Sequence, residues 1–260
     1  MVIKYEGKSK DLKDFLFKSN SHLSGVAYDF FIAGDTFRLK NLHKDAVKSY
    51  LNSILVNRKN PKSYYGLGLA YKHLKCYDKA IDAFKKAKEL SCFDADIYHE
   101  LGICHLVKGE FCKAIKAFVN SIKLNPNNLE VQIQLAIAHE MADETDMSLM
   151  IYQKIIETQP SFIRAYAQKA ALYMNMEDYK ESAVVFRKIL KINPDYYRAY
   201  LGIGICYDKL GEKISAVRYY KKFLELKPRS KNSMDVKKRL AIIKNEHEPK
   251  DCSLKLVNFN

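Results

Sequence analysis

The 260-residue sequence contains 48% hydrophobic and 28% charged residues and carries a formal net charge of +14. That much apolar surface excludes the composition of an intrinsically disordered chain, because its burial can offset the entropy lost on folding. No run approaches the roughly 18 to 20 apolar residues of a transmembrane helix, and the first residues lack the apolar core of a secretory signal, so we expect a soluble, cytoplasmic protein. The positive charge leaves nucleic acid, anionic membranes and acidic proteins open as partners.

Residues 1–26 precede the regular part of the sequence. Leu12, Phe15 and Leu16 have the three- and four-residue spacing of one face of a short helix, and the polar and glycine residues of 19–25 should end it. We therefore expect a short N-terminal capping helix before residue 27.

A 34-residue period runs through the rest of the chain. Pro126, Pro160, Pro194 and Pro228 follow one another at this spacing without an insertion, which is typical of a repeat architecture. The period defines six rows, and a position within a row is called its place, numbered 1 to 34. The rows are 27–60, 61–94, 95–128, 129–162, 163–196 and 197–230.

Four places keep one type of residue in every row. Places 11 and 24 hold a ring, and places 8 and 20 hold a small residue. The rings at place 24 are Tyr50, Phe84, Phe118, Tyr152, Phe186 and Tyr220. Apolar residues recur three and four apart on either side of a short gap, which predicts two helices in each row, for example at 62–74 and 78–90. Proline near the end of a row should stop the second helix.

The rows resemble tetratricopeptide repeats, whose motif is an aromatic residue, Leu-Gly, Tyr, later Ala, an aromatic residue four positions on, and a closing Pro. Row two carries this motif as Tyr64, Leu67, Gly68, Tyr71, Ala80, Phe84 and Ala87. Gln132, Ser148 and Lys169 depart from it in rows four and five. The resemblance covers residues 27–230 and implies an all-α fold, a right-handed superhelical solenoid of six helical hairpins that bury their apolar faces by stacking.

The end of such an array needs a cap that covers its last apolar face. Val236, Leu240 and Ile243 form a helical stripe, with Ser233 as N-cap and Asp235 in the first turn, which predicts a C-terminal capping helix from about 233 to 246 within the segment 231–248. In the tail, 249–260, the apolar residues Leu254, Leu256 and Phe259 permit an extended docked segment, but we favour a flexible tail because chain ends fray.

No catalytic, cofactor or metal site is predicted. His99 and His105 are six residues apart and about 120° out of phase on a helix, whereas a helical zinc pair needs two histidines four apart. The sequence has no phosphate-binding loop and no nucleophile elbow. The six cysteines form no CxxC pair and are expected to be buried small residues rather than disulfides. We therefore expect a protein that is not an enzyme.

In tetratricopeptide repeat proteins, the first helices of the rows line a concave groove that holds peptide segments of partners. The resemblance implies that places 2, 5, 6, 9, 12 and 13 face this groove, and places 5 and 9 are mostly apolar here. The candidate groove residues are Phe31, Tyr65, Leu69, His99, Ile103, Ile133, Ile137, Arg164, Arg198, Leu201 and Ile205. The alternative is that the curvature of the array buries some of them. Arg164 and Arg198 occupy place 2, where they could bind the carboxylates of a peptide.

Acidic and basic residues are distributed unevenly along the chain. Row four is acidic, whereas residues 163–250 hold 20 Lys and Arg against 10 Asp and Glu. Apolar residues at places 5 and 9 argue against the carboxylate clamp with which some family members grip the acidic C-termini of large heat-shock chaperones.

Three functions follow as hypotheses. The first is a non-catalytic scaffold or adaptor that binds an apolar peptide or helix of a partner protein in the groove. The second is electrostatic binding of nucleic acid or an anionic membrane by the basic C-terminal half. Nucleic acid is the weaker partner, because no polar column repeats regularly enough to read bases. The third is self-association.

Overall fold

The computed structural model describes residues 25–91 and 94–247, and every regular element in these ranges is an α-helix. The predicted helix around Leu12 and the tail 249–260 lie outside the described residues. Helix α1 covers residues 25–39. The helices that follow are α2 (His43–Val56), α3 (Pro61–His73), α4 (Tyr77–Leu90), α5 (Ala95–Val107), α6 (Phe111–Leu124), α7 (Leu129–Met141), α8 (Thr145–Thr158), α9 (Ile163–Asn175), α10 (Tyr179–Ile192), α11 (Tyr197–Lys209), α12 (Lys213–Leu226) and α13 (Ser233–His247).

The helices repeat with the period of the sequence, and the all-α helical-repeat fold is confirmed. The first helices of rows two and three begin at Pro61 and Ala95, 34 residues apart, and the second helices at Tyr77 and Phe111. Helices α3 and α4 match the predicted 62–74 and 78–90 to within one residue. Where row three closes with Pro126, helix α6 has already ended at Leu124, because proline cannot donate the next helical hydrogen bond.

A left-handed residue joins the two helices in every row. It always occupies place 15, and four of the six residues are not glycine: Asn41, Lys75, Asp143 and Glu177 have φ near 60°, and Gly109 and Gly211 have φ of 74° and 78°. In row two, the amide of Cys76 donates to the carbonyl of Tyr71, which closes the end of α3 in the manner of a Schellman motif. The turn is therefore set by backbone hydrogen bonds and does not depend on glycine alone.

The structure forms two compact units, one up to Ser148 and one from Leu149 onward. In the first unit, the rings Tyr50, Phe84 and Phe118 are fully buried. A Cβ added to Gly68 would lie 2.5 Å from Phe84 Cε1, and one added to Gly66 would lie 2.5 Å from Tyr50 Cε1. The two glycines of α3 thus admit the ring of their own row on one side and the ring of the preceding row on the other.

The second unit uses the same contact and ends with α13. A Cβ at Gly204 would lie 2.6 Å from Tyr220 Cδ1. Val236 and Ile243 of α13 are buried in one cluster with Phe223. Ser233 corrects one prediction, because its hydroxyl donates to the carbonyl of Lys227 at 2.7 Å and accepts from the amide of Ser230 at 3.0 Å. It therefore closes the loop before α13 instead of capping that helix.

Candidate peptide-binding surfaces

Three first helices of the first unit, α3, α5 and α7, pack side by side. Five predicted groove residues lie on them, each of them partly exposed: Tyr65, Leu69, His99, Ile103 and Ile137. They share places 5 and 9, so one stripe of apolar and aromatic side chains crosses the first helices of three consecutive rows. This surface is called the α3–α5–α7 face.

The rings at place 5 belong partly to the core. The ring centroids of Tyr65 and Phe84 are 5.7 Å apart, and those of His99 and Phe118 are 6.1 Å apart. In row one, Phe31 stands 6.2 Å from Tyr50 in the same way. Each place-5 ring therefore packs against the place-24 ring of its own row. This contact fixes the orientation of the place-5 ring and leaves its other surface available to a ligand.

Ile133 does not line a surface. Its side chain is 0% exposed, so its prediction as a groove residue is wrong. Val131, Leu135 and Ala138 of the same helix are buried as well. Helix α7 thus has buried apolar residues on several sides, and Ile133 at place 5 is one of these residues. For this residue the alternative to a groove position, burial by packing, is correct.

Two exposed apolar residues of the face were not among the predicted residues. Val107 is 56% exposed and Met141 is 54% exposed, and both occupy place 13 at the end of their helices. Place 13 is among the places that the family resemblance assigns to the groove, so the signal was present in the sequence. With them, the face extends along the helices from place 5 to place 13.

An ion pair joins the first two helices of the face. Lys72 Nζ lies 2.5 Å from Glu100 Oε2, and their side chains are 21% and 12% exposed. Each side chain is largely shielded from water and has the other as its charged partner, so the pair fixes α3 against α5. Burial raises the pKa of the Tyr65 hydroxyl, and the carboxylates of Glu100 and Asp96 add to the effect. The hydroxyl therefore stays a neutral hydrogen-bond donor beside the apolar stripe.

In the second unit, Leu201 and Ile205 lie together in a cavity of about 290 Å³ between α11, α12 and α13. Its other lining residues are Tyr220, Asn232, Asp235, Val236 and Arg239. The contribution of α13 was not predicted, because the packing of this helix across α11 depends on tertiary structure. The cavity has an apolar floor and a polar rim.

A charged pair holds α13 at this cavity. Arg239 Nε and Nη2 each donate to a carboxylate oxygen of Asp208 at 2.7 Å, and the Tyr220 hydroxyl donates to the same carboxylate at 3.2 Å. The Arg239 guanidinium holds the pKa of Asp208 below its ordinary value. Asp208, at place 12 of row six, is therefore bound by side chains of the protein itself and is not available to bind a ligand.

The two predicted arginines are exposed at the beginnings of α9 and α11. The guanidinium carbon of Arg198 lies 5.9 Å from the ring centroid of Tyr197, and Lys227 Nζ lies 5.3 Å from the same ring. The start of α11 thus carries two cations around one aromatic ring. Arg164 holds the corresponding place on α9.

Two histidines of the described residues pair with glutamates. His105 Nδ1 lies 2.6 Å from Glu110 Oε2, and His139 makes the same contact with Glu144 at 2.5 Å. The hydrogen bond from His105 lowers the pKa of Glu110 to about 2. Within residues 25–91 and 94–247, no group of three or more His, Cys, Asp or Glu is placed to hold a metal ion. No helix of this part is long and apolar enough to cross a membrane.

Comparison with known proteins places the chain among helical repeats. A family model described as tetratricopeptide repeat matches residues 61–91, and a second of the same description matches 163–196 and 197–230. A search of curated proteins found no match.

Several solved structures share the fold. They include PilW, a type IV pilus biogenesis factor, with 16% identity, a TM-score of 0.65 and coverage of 81% of this chain and 98% of its own. PilF of Pseudomonas aeruginosa has 11% identity, a TM-score of 0.62 and coverage of 84% and 99%. YrrB, described as a TPR protein with an unusual peptide-binding site, has 18% identity, a TM-score of 0.54 and coverage of 74% and 99%. The three rows matched by these models therefore carry tetratricopeptide repeats, and the helices of the structure continue the same 34-residue period through the described rows.

Proposed function

We propose that the protein is a non-catalytic scaffold that binds an apolar peptide or amphipathic helix of a partner protein on the α3–α5–α7 face. The observation that carries the proposal is the apolar stripe on the first helices of three consecutive rows. Its partly exposed residues are Leu69, Ile103 and Ile137, and the exposed Val107 and Met141 extend it. Contiguous exposed apolar surface of this kind is uncommon on soluble proteins without a binding role.

The spacing of the stripe suits a helical or extended ligand. Packed helices lie about 8 to 10 Å apart, so equivalent side chains of α3, α5 and α7 recur at that interval. Residues i and i+7 of a helix are separated by about 10 Å along its axis. An amphipathic helix lying across the three helices can therefore place one apolar side chain against each, and Leu69, Ile103 and Ile137 are the residues it would meet.

The cavity at Leu201 and Ile205 offers a separate contact in the second unit. Its volume of about 290 Å³ is at the lower limit of small-molecule pockets. A single apolar side chain of a bound segment suits it better than a drug-sized ligand. Arg164 and Arg198 are proposed to take acidic side chains or a terminal carboxylate of such a segment. The six rows of 27–230 are proposed as the binding array, and peptide binding by the structurally similar YrrB makes this use of the fold reasonable.

The test places negative charge on the face. In the variant Ile103→Glu with Ile137→Glu, a bound apolar segment would bury unpaired carboxylates, which costs several kcal/mol. Partners should be captured from a cell lysate by the wild-type chain and still be retained at roughly half-molar salt, where surface charges are screened. Retention by the variant should fall at least about tenfold.

The matched control is Leu90→Glu with Leu124→Glu. These leucines are 41% and 40% exposed at the ends of α4 and α6, so the control adds the same charge outside the face. It should capture partners like the wild type, and circular dichroism should give the same helix content for all three proteins. Capture that is lost at modest salt in the wild type, or that is equal in the variant and the wild type, would contradict the proposal.

A further inference from the structure

A second concave surface lies elsewhere on the second unit, between α10, α11 and α12. It is a crevice of about 580 Å³ lined by Leu190, Tyr200, Arg218, Tyr219, Lys221, Lys222 and Glu225. This surface, called the tyrosine crevice, shares no residue with the cavity at Leu201 and Ile205.

Two tyrosines, Tyr200 and Tyr219, line the crevice, and a third ring, Tyr207, stacks against Tyr219. The rings of Tyr207 and Tyr219 are stacked, with centroids 5.6 Å apart and planes 24° apart. Tyr200 lies 6.3 Å from Tyr219 at an angle of 36°. All three side chains are partly exposed. Arg187 Nη1 donates to the Tyr207 hydroxyl at 3.3 Å, which adds a cation at the edge of the ring system.

The helices around the rings are strongly basic. Helix α12 carries four Lys and Arg and one acidic residue, Glu225, and helix α10 likewise carries four basic residues and one acidic residue, Glu181. Glu225 is paired with Lys222 at 2.9 Å. Within the part of the chain that the structure describes, Arg218 and Lys221 make no ion pair. The crevice therefore presents unneutralised cations beside aromatic rings.

These two features select a ligand that is both planar and repeatedly anionic. An acidic peptide supplies the charge without planar groups that stack on phenol rings, and an anionic membrane requires apolar side chains that protrude into it, whereas the crevice rings are partly buried. Single-stranded nucleic acid supplies bases that stack on the rings and phosphates at regular intervals for Arg218 and Lys221. We propose that the tyrosine crevice binds single-stranded nucleic acid.

Such binding does not read the sequence of the bases. Stacking accepts any base, and the cations contact only phosphates. The absence of a repeating polar column, which argued against a base-reading array, does not bear on this mode. The crevice also leaves the α3–α5–α7 face unoccupied, so binding of nucleic acid and binding of a partner protein succeed or fail separately.

The test is fluorescence anisotropy with the full chain and a labelled oligo-dT of about 15 nucleotides at roughly 50 to 300 mM salt. With about four phosphates neutralised, the logarithm of the binding constant should fall with the logarithm of salt concentration with a slope near −3. Tyr219→Leu keeps the apolar packing and removes the aromatic face, so affinity should fall about fivefold or more with the slope unchanged. Arg218→Gln with Lys221→Gln should reduce the slope by about 1.4.

The control, Lys237→Gln with Lys238→Gln, removes the same charge from exposed positions of α13. It should leave affinity within about twofold of the wild type, because neither lysine lines the crevice and exposed charges outside a binding site are partly screened by salt. The proposal is overturned if the oligonucleotide does not bind at the lowest salt. It is also overturned if inorganic polyphosphate binds as tightly and Tyr219→Leu has no effect, or if vesicles containing phosphatidylserine bind while the oligonucleotide does not.

Discussion

Substituting Gly102 by alanine tests the packing on which the repeat depends. Gly102 lies in α5 and faces Phe118 of α6. A Cβ at this position would lie 2.5 Å from Phe118 Cε1, 2.6 Å from Cδ1 and 2.8 Å from Cζ. The ring is 0% exposed, so it cannot swing into solvent to make room.

Two opposing contributions decide the size of the effect. Forcing a methyl group into a filled core typically costs about 1 to 3 kcal/mol. Replacing glycine by alanine within a helix returns about 1 kcal/mol. We therefore expect Gly102→Ala to lower the free energy of unfolding by about 1 kcal/mol. Removing the ring should reverse the sign, because in the background of Phe118→Val the methyl group meets open space and only the gain in helix propensity remains.

The measurement is urea unfolding of the wild type, both single variants and the double variant, followed by far-ultraviolet circular dichroism. Hydrogen exchange of α5 and α6 then assigns the loss to this helix pair, since repeat arrays can open locally. Gly25→Ala serves as control, because a Cβ there has no heavy atom within 4 Å. If Gly102→Ala changes the free energy of unfolding in the same direction with and without the Phe118 ring, the close ring contact is not what requires glycine.

Two further predictions concern titrating groups. Because Arg239 lowers the pKa of Asp208 in the folded state, their pair stabilises the protein above about pH 4 and loses this effect as the pH falls through the folded-state pKa. The thermal unfolding temperature of Asp208→Asn should be lower than that of the wild type at neutral pH, and it should lack this acid-dependent loss of stability. A dependence of the unfolding temperature on pH equal to that of the wild type would refute the role of the pair. Burial raises the pKa of Cys104 to about 12, whereas Cys76 and Cys112 are exposed, so the expectation of buried cysteines is wrong for these two. A maleimide at neutral pH should therefore modify Cys76 and Cys112 in the native protein and Cys104 only after unfolding, as read by peptide mass spectrometry, and rapid native labelling of Cys104 would contradict its burial.

The helices and the fold class could be predicted from the sequence, because their signals are local and are repeated in every row. Rings at place 24 and small residues at place 8 are required by a contact inside one helical hairpin, such as Gly68 against Phe84. The two residues of that contact are 16 positions apart and lie in the same row. Their residue types therefore recur together with the 34-residue period. The same period identifies place 13, where Val107 and Met141 are exposed.

The sequence by itself thus determined which residues form helices and which faces of those helices are apolar. Only the tertiary structure decided that Ile133 is fully buried while Ile103 stays partly exposed, that Asp208 is bound by Arg239 31 residues later, and that tyrosines of α11 and α12 meet in one crevice. The physical reason is that burial and ion pairing depend on what the neighbouring helices place opposite a side chain. The period of a single helix contains no information about that environment.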